Sequence, residues 1–235
     1  VHRGSGTLTL TGRAAYTGRT HTPGGGSIVF RHDELPATSA FRASGQIILE
    51  PDGTDFNGAQ VIDYGFEESM TGFTVGKPGT ESDLTVAGGI DITGPVHLHG
   101  GGVAINAPID TSGNALALHA KGSVTQTAAV AADTLALHGN ESFNLTHAQN
   151  DLATLAGGSA GDALGSVSLT NAGALTIGTV NPSGVQATGD VHIETLTGDL
   201  TVAEDIVTSS SSAEAIVLNA GRNADAGDPS GGNLI

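Results

Sequence analysis

The sequence of 235 residues contains no cysteine and no tryptophan, and aromatic residues make up only 3% of it. Without cysteine, the chain can form neither a disulfide framework nor a cysteine-based zinc site. No apolar run approaches the roughly 18 residues of a membrane-spanning helix, so we expect no membrane insertion. The chain begins at Val1 without the charged and then apolar segments of a signal peptide, and we interpret it as part of a longer protein.

Basic residues are also scarce, since 8 lysines and arginines stand against 24 aspartates and glutamates, giving a net charge of −16. Five of the eight lie in the first 42 residues, at Arg3, Arg13, Arg19, Arg31 and Arg42. Nucleic acids and anionic membrane surfaces would repel such an acidic body. The charge balance therefore argues against nucleic acid as a partner.

Glycine is abundant, with 36 residues, and it separates short segments in which apolar residues alternate with small or polar ones. This alternation is the period of a β-strand with one buried face, and glycine recurs too often for a long helix. The sequence therefore predicts an almost entirely β chain. The alternating segments are 8–10, 28–30, 47–49, 84–86, 90–92, 96–98, 103–105, 116–118, 135–137, 143–145, 167–169, 175–177, 191–193, 200–202 and 216–218.

Equivalent segments return at a nearly constant spacing. Leu98, Leu118 and Leu137 are 20 and 19 residues apart, and later segments return after 24 or 25 residues. A β-sandwich would instead show strands roughly every 8–12 residues, joined by hairpins and without such columns. In a β-solenoid, each strand pairs with its counterpart about 4.8 Å away on the next coil. We therefore predict an all-β parallel β-helix of about ten coils, each 19–25 residues long.

The first part of the chain is less regular than the rest. Residues 1–80 have longer intervals between strands and contain an acidic tract at 63–68, whereas residues 81–235 carry the regular repeat. The turn signal at 77–79, Lys-Pro-Gly, marks the change. We predict less regular coils or an N-terminal portion over 1–80 and a regular repeat region over 81–235, within one continuous solenoid.

Histidines form the best-defined candidate site. His99, His119 and His138 each follow an apolar triplet at the same position, and His97 lies on the strand of His99. On consecutive coils the three would form an outward row with steps of roughly 5 Å. These imidazoles could hold a divalent metal such as zinc, or could become charged together in mild acid. The alternative is a row of solvated imidazoles that repeat duplication produces without any chemistry.

We predict no catalytic residue and no cofactor, apart from incidental calcium or zinc. Calcium-binding β-rolls need tandem Gly-Gly-x-Gly-x-Asp repeats, and only residues 88–91 come near that pattern. Polysaccharide lyases and hydrolases use the same solenoid, but glycoside hydrolysis needs two carboxylates beside a groove. Outward acids on the predicted strands are few: Asp91, Glu194 and Glu50. Scarce aromatic and basic residues argue further against such an enzyme.

Several stretches resemble the repeat region of filamentous-haemagglutinin-like adhesins, the long exoproteins of two-partner (type V) secretion in Gram-negative bacteria. They are GFTVGK at 72–77, ITGPVHLHGG at 92–101, ALGSVSLTNAGALTIGTVNPSGV at 163–185 and GDVHIETLTGDLTV at 189–202. The resemblance covers about residues 70–220. It implies a right-handed β-helix, a secreted or cell-surface location, and a role in adhesion or as a stalk. The family's Asn-Pro-Asn-Gly-like secretion motif is not matched by Asn-Pro-Ser-Gly at 181–184, which we interpret as a coil turn.

We therefore expect a structural or adhesive segment of a bacterial surface or secreted fibrous protein, presenting binding surfaces on an elongated rod. Its expected partners are a glycan or protein on a host or neighbouring cell, further copies of itself, and an outer-membrane transporter during secretion. Two alternatives remain open. One is a self-assembling extracellular filament subunit, and the other is a polysaccharide-active β-helix enzyme.

Overall fold

The computed structural model describes residues 6–11, 20–22, 25–36, 40–66, 69–222 and 232–235. These residues form 25 β-strands and no helix, so none of them belongs to a helix that could cross a membrane. All the strand pairs are parallel. The fold is a right-handed parallel β-helix, which confirms the predicted fold class.

The strands are short, as the segments of alternating residues predict. In chain order they are β1 (Leu8–Thr11), β2 (Thr20–Thr22), β3 (Ile28–Arg31), β4 (Ala40–Ala43), β5 (Gln46–Glu50), β6 (Gln60–Ile62), β7 (Gly65–Phe66), β8 (Gly72–Val75), β9 (Leu84–Val86), β10 (Ile90–Asp91), β11 (Val96–Gly100), β12 (Val103–Ile105), β13 (Ile109–Asp110), β14 (Ala115–Ala120), β15 (Val124–Gln126), β16 (Val130–His138), β17 (Ser142–Leu145), β18 (Asp151–Gly157), β19 (Ser166–Asn171), β20 (Leu175–Ile177), β21 (Val185–Ala187), β22 (Val191–Thr195), β23 (Leu200–Val202), β24 (Ile206–Thr208) and β25 (Ile216–Asn219).

The strands stack into three sheets. The long sheet has the order β1-β3-β5-β8-β11-β14-β16-β18-β20-β23, and β10, β13, β21 and β24 attach to it. The second sheet has the order β6-β9-β12-β15-β17-β19-β22-β25, and the third contains β2, β4 and β7. Strands on either side of residue 80 pair directly, since β8 pairs with β11 and β6 with β9. Both of these sheets therefore continue past the irregular N-terminal coils into the regular repeat.

The predicted columns are present in the interior. Leu98 pairs with Leu118 and Leu118 with Leu137, and all three side chains are completely buried. The longest column steps through the stack at intervals of 19–26 residues, from Leu8 through Ile28, Ile47, Phe73, Val96, Leu116, Leu135, Leu155 and Ile177 to Val202. The chain thus makes about nine turns, which at about 4.8 Å per turn span roughly 43 Å.

Aromatic rings fill the interior of the N-terminal coils. The ring centroids of Phe41 and Tyr64 are 4.7 Å apart, and those of Phe66 and Phe73 are 4.8 Å apart. The hydroxyl group of Tyr64 donates a hydrogen bond to the carbonyl oxygen of Pro36 at 3.1 Å, so its polar end is satisfied. This aromatic cluster accompanies the longest interval of that column, between Ile47 and Phe73, whereas the later coils bury a single phenylalanine, Phe143, among aliphatic side chains.

The buried side chain of Asn150, directly before β18, forms hydrogen bonds with residues of the neighbouring coils. Asn150 is 1% exposed, and its Oδ1 accepts a hydrogen bond from the backbone N–H of Val130 on the preceding coil at 2.9 Å. Its Nδ2 donates to the carbonyl oxygens of Leu145 at 2.9 Å and of Thr170 on the following coil at 3.0 Å. Because these partners satisfy the buried amide, the polar residue stabilises three successive coils.

Candidate functional site

The connections from the long sheet to the second sheet differ in length along the stack. Three successive connections are short, at 101–102, 121–123 and 139–141. Those on the coils before and after them are long, at 76–83 and 158–165. Two long loops therefore flank three tight turns, and the space between the loops is a surface depression. We call this depression the histidine trough, because His99, His119 and His138 line it.

The histidine trough has a volume of about 990 Å³. Its floor combines the three imidazoles with the glycines of the tight turns, at Gly101, Gly102, Gly122 and Gly139. Gly139 has φ +128°, and a Cβ added there would lie 1.7 Å from the carbonyl oxygen of Ala120. Only glycine fits this position. The turns therefore leave bare backbone along the floor, which keeps the trough open.

The three histidines stack face to face. His99 pairs with His119 and His119 with His138 in the parallel register. Adjacent ring centroids are 4.1 Å apart in both pairs, with interplanar angles of 14° and 7°. His97 lies outside this stack, because its partners on the adjacent coils are Thr74 and Ala117. The structure thus brings together three of the four histidines that the sequence singles out.

Burial decides the charge state of the stack. Burial, and after it repulsion from the other histidines, lowers the pKa of His99 to about 4 and that of His119 to about 3. Burial also lowers the pKa of His138, although the charge of Asp162 and a hydrogen bond with the backbone of Asn181 oppose this effect. His99 and His119 therefore stay neutral in mild acid, and each neutral ring carries one N–H donor and one nitrogen acceptor.

The stacked arrangement does not converge on a point where a metal could sit. The lone pairs of imidazole nitrogens lie in the ring plane, so in parallel rings they run side by side, whereas zinc requires ligands around a tetrahedron. Among the residues that the structure describes, no group of three or more His, Asp or Glu side chains is arranged to hold a metal ion. Zinc binding at His97, His99, His119 and His138 stays a prediction, and it would require the rings to rotate.

Charged side chains of the trough are mostly engaged with one another or with the backbone. Lys121, in a tight turn, places its Nζ 2.6 Å from Oε1 of Glu81 in the first long loop. The Oδ1 of Asp83 accepts a hydrogen bond from the backbone N–H of Gly102 at 2.6 Å. The Nζ of Lys77 donates to the carbonyl oxygen of Pro51 at 2.9 Å. With neutral histidines, the trough has nearly balanced charge with a small acidic excess.

The walls of the trough are not evident from any motif in the sequence. Lys121 and Glu81 are 40 positions apart, and neither belongs to a recognisable motif. The signal that could have revealed them is the spacing between alternating segments, which widens around residues 76–83 and again around 158–165. Such widening marks longer loops, and two of them separated by three short coils predict a depression.

The acidic residues considered for catalysis are not brought together. Glu50 forms an ion pair with Arg31 at 2.5 Å on the long sheet, and Glu194 forms one with Arg222 at 3.2 Å near the second sheet. Asp91 pairs in register with Asp110 on the next coil. Asp110 is not evident from the sequence, because Thr111 follows it where Ile92 completes the alternating segment at 90–92.

Comparison with known proteins gives no relative: no protein-family model, no curated protein and no solved structure matches the chain significantly. The resemblance to filamentous-haemagglutinin-like repeats therefore stays a prediction. Any functional assignment must rest on the solenoid and on the histidine trough.

Proposed function

We propose that the chain is a structural and adhesive segment of a bacterial surface or secreted fibrous protein, in which the solenoid displays binding surfaces along a rod. The observation that most supports this role is the uninterrupted parallel ladder of the long sheet, which runs from β1 to β23 over about nine turns. Such a ladder makes a long scaffold from short repeats, and loops of different length vary its lateral surface.

The packing of the coils suits a mechanical role. Hydrogen bonds between coils run along the rod axis, and each buried side chain contacts its counterparts on the coils before and after it. Leu118, for example, lies between Leu98 and Leu137. No coil can leave the stack without exposing the interior of its neighbours. The short turns also offer proteases little unpaired backbone.

The resemblance of the repeats supports a secreted or cell-surface location in a Gram-negative bacterium, with an outer-membrane transporter as the partner during secretion. The net charge of −16 suits a long molecule that must remain soluble and avoid nonspecific binding to anionic surfaces. Under this proposal the partner that matters after secretion is a glycan or protein on another cell surface.

The adhesive role can be tested with beads that carry the purified chain. Such beads should bind cultured epithelial cells or Gram-negative bacterial cells in a saturable way, and soluble protein should compete with them. Beads coated with serum albumin, another acidic protein, are the control. Binding to both kinds of cell at the level of the albumin beads would contradict the adhesive role.

A further inference from the structure

We propose that the histidine trough binds an uncharged, hydroxyl-rich oligosaccharide. The inference rests on the proposed adhesive role, because it assigns a ligand class and a location to the binding surface of the rod. Four features carry it: the length of the trough, the hydrogen-bonding capacity of its floor, the pairing of the strands beneath it, and the balance of charge along its walls.

The trough is long enough for a short oligosaccharide of several linked sugar rings. The loops at 76–83 and 158–165 are four coil steps apart, which corresponds to roughly 19 Å at about 4.8 Å per step. The volume of about 990 Å³ is at the upper end of the range for small-ligand pockets. A ligand that fills the trough must therefore extend along the rod axis, as an oligomer of several sugar rings would.

The floor offers polar groups at regular intervals. The exposed edges of His99, His119 and His138 repeat at each coil, and the exposed residues Asn140 and Thr188 add an amide and a hydroxyl oxygen at the margins. A sugar hydroxyl both donates and accepts hydrogen bonds, so it can pair with either nitrogen of a neutral imidazole. Because the imidazole faces stack on one another, recognition uses ring edges rather than stacking on a sugar ring.

An extended peptide fits this surface less well. The strands beneath the trough, β11, β14 and β16, are each paired on both sides, so they have no free edge to which a peptide strand could be added. The apolar side chains of the lining are only proline and alanine, which gives no pocket for a large apolar anchor.

A polyanionic ligand is also disfavoured. Of the two lysines in the lining, Lys121 pairs with Glu81 and Lys77 donates to a backbone carbonyl. Asp83 and Asp162 add negative charge to the same walls. The net charge of −16 on the whole chain would repel a sulfated or carboxylated polymer at long range.

The binding test uses the full chain, labelled with ¹⁵N, and neutral tetrasaccharides of α- and β-linked glucose, mannose, galactose and N-acetylglucosamine. At least one should produce saturable amide shifts confined to the turns at Gly101, Gly102, Gly122 and Gly139. A heparin-derived tetrasaccharide and an unstructured neutral peptide serve as comparisons. Absence of shifts with every neutral sugar, shifts elsewhere on the rod, or stronger binding of the heparin fragment or the peptide would overturn the proposal.

A steric block locates the site. Gly161 lines the trough, and a Cβ added there would meet no atom within 4 Å. Gly161→Phe should therefore fold normally and lower the affinity for the sugar at least tenfold. Gly173→Phe is the matched control, because Gly173 has equally open surroundings and lies outside the lining. Unchanged affinity in Gly161→Phe would place the sugar elsewhere and contradict the proposal.

Two results separate this inference from the adhesive role. If tetrasaccharides shift the trough amides while coated beads fail to bind cells, the trough assignment stands and the adhesive role fails. If beads bind cells but no tetrasaccharide shifts the trough, and Gly161→Phe beads bind equally well, the adhesive role stands and the trough assignment fails.

Discussion

The imidazole rings of His119 and His138 stack 4.1 Å apart with planes only 7° from parallel, although the two residues are 19 positions apart in the chain. Their strands β14 and β16 pair in the register that also places Leu118 over Leu137. A slip of one residue would turn the histidines toward the interior and the leucines toward the surface. The same register therefore defines both the core and the floor of the trough.

The low pKa values of the stack predict that the solenoid loses stability as the pH falls. An unfolded histidine binds a proton near pH 6.5, whereas the pKa values of His99 and His119 in the folded chain are about 4 and about 3. Between about pH 6.5 and pH 3 the unfolded chain binds more protons, so the folded state is disfavoured as acid is added. After solvent screening we expect an effect on the order of 1 kcal/mol for each of the two histidines.

The measurement is the midpoint of urea unfolding at pH 7.0 and at pH 4.5. It is made on the wild-type chain and on one triple variant that carries His99→Gln, His119→Gln and His138→Gln. The variant is the reference because it keeps the other ionisable groups that line the trough or interact with the stack (His97, Glu81, Asp83, Asp162, Lys77 and Lys121) and lacks only the three stacked rings. The wild-type chain should lose more stability than the variant between the two pH values. Equal losses would show that the stack is not the cause.

Truncating one residue of the interior column should destabilise the whole stack. Leu118→Ala removes a completely buried side chain that lies between Leu98 and Leu137, and such a change costs about 2–5 kcal/mol. Thr125→Ala on the exposed face of β15 is the control, with an expected effect within about 0.5 kcal/mol. Urea denaturation measures both. Similar midpoints for the two variants would be incompatible with the column.

Gly139 should tolerate no side chain. In Gly139→Ala the new Cβ would lie 1.7 Å from the carbonyl oxygen of Ala120, at a φ of +128°. We expect a loss of about 1–3 kcal/mol from the strained backbone, which lowers the melting temperature by roughly 2–4 °C for each kcal/mol in a chain of this size. Gly173→Ala, where nothing lies within 4 Å, should leave the melting temperature nearly unchanged.

Removing the buried amide of Asn150 should be costly. Asn150→Ala leaves the N–H of Val130 and the carbonyl oxygens of Leu145 and Thr170 without their side-chain partner. Because each unsatisfied buried group costs roughly 1–3 kcal/mol, we expect a loss of about 2–4 kcal/mol in the free energy of unfolding. Asn144→Ala, at an exposed position of β17, provides the comparison. A cost no larger than that of Asn144→Ala would mean that water replaces the amide.

The columns were predictable because the solenoid repeats local information. Leu98, Leu118 and Leu137 alternate with small or polar neighbours on their own strands, and their spacing indicates which strands are adjacent. The histidine row follows from the same spacing. Asp110 was not predicted because Thr111 follows it, where an apolar residue would complete an alternating segment. Asn150 was not predicted because a polar residue beside a turn has the same local pattern whether it is buried or exposed.

By itself, the sequence determined that the chain is all-β, that it coils with a return of about 19–25 residues, and that three histidines lie in one row. These properties depend on residue type and spacing along the chain, which the sequence contains directly. Only the tertiary structure decided that the histidines stack in a trough, that burial lowers the pKa values of their rings, and that Lys121 meets Glu81 across the wall. Those properties depend on how the loops of different coils lie beside one another, and no local pattern in the chain specifies that arrangement.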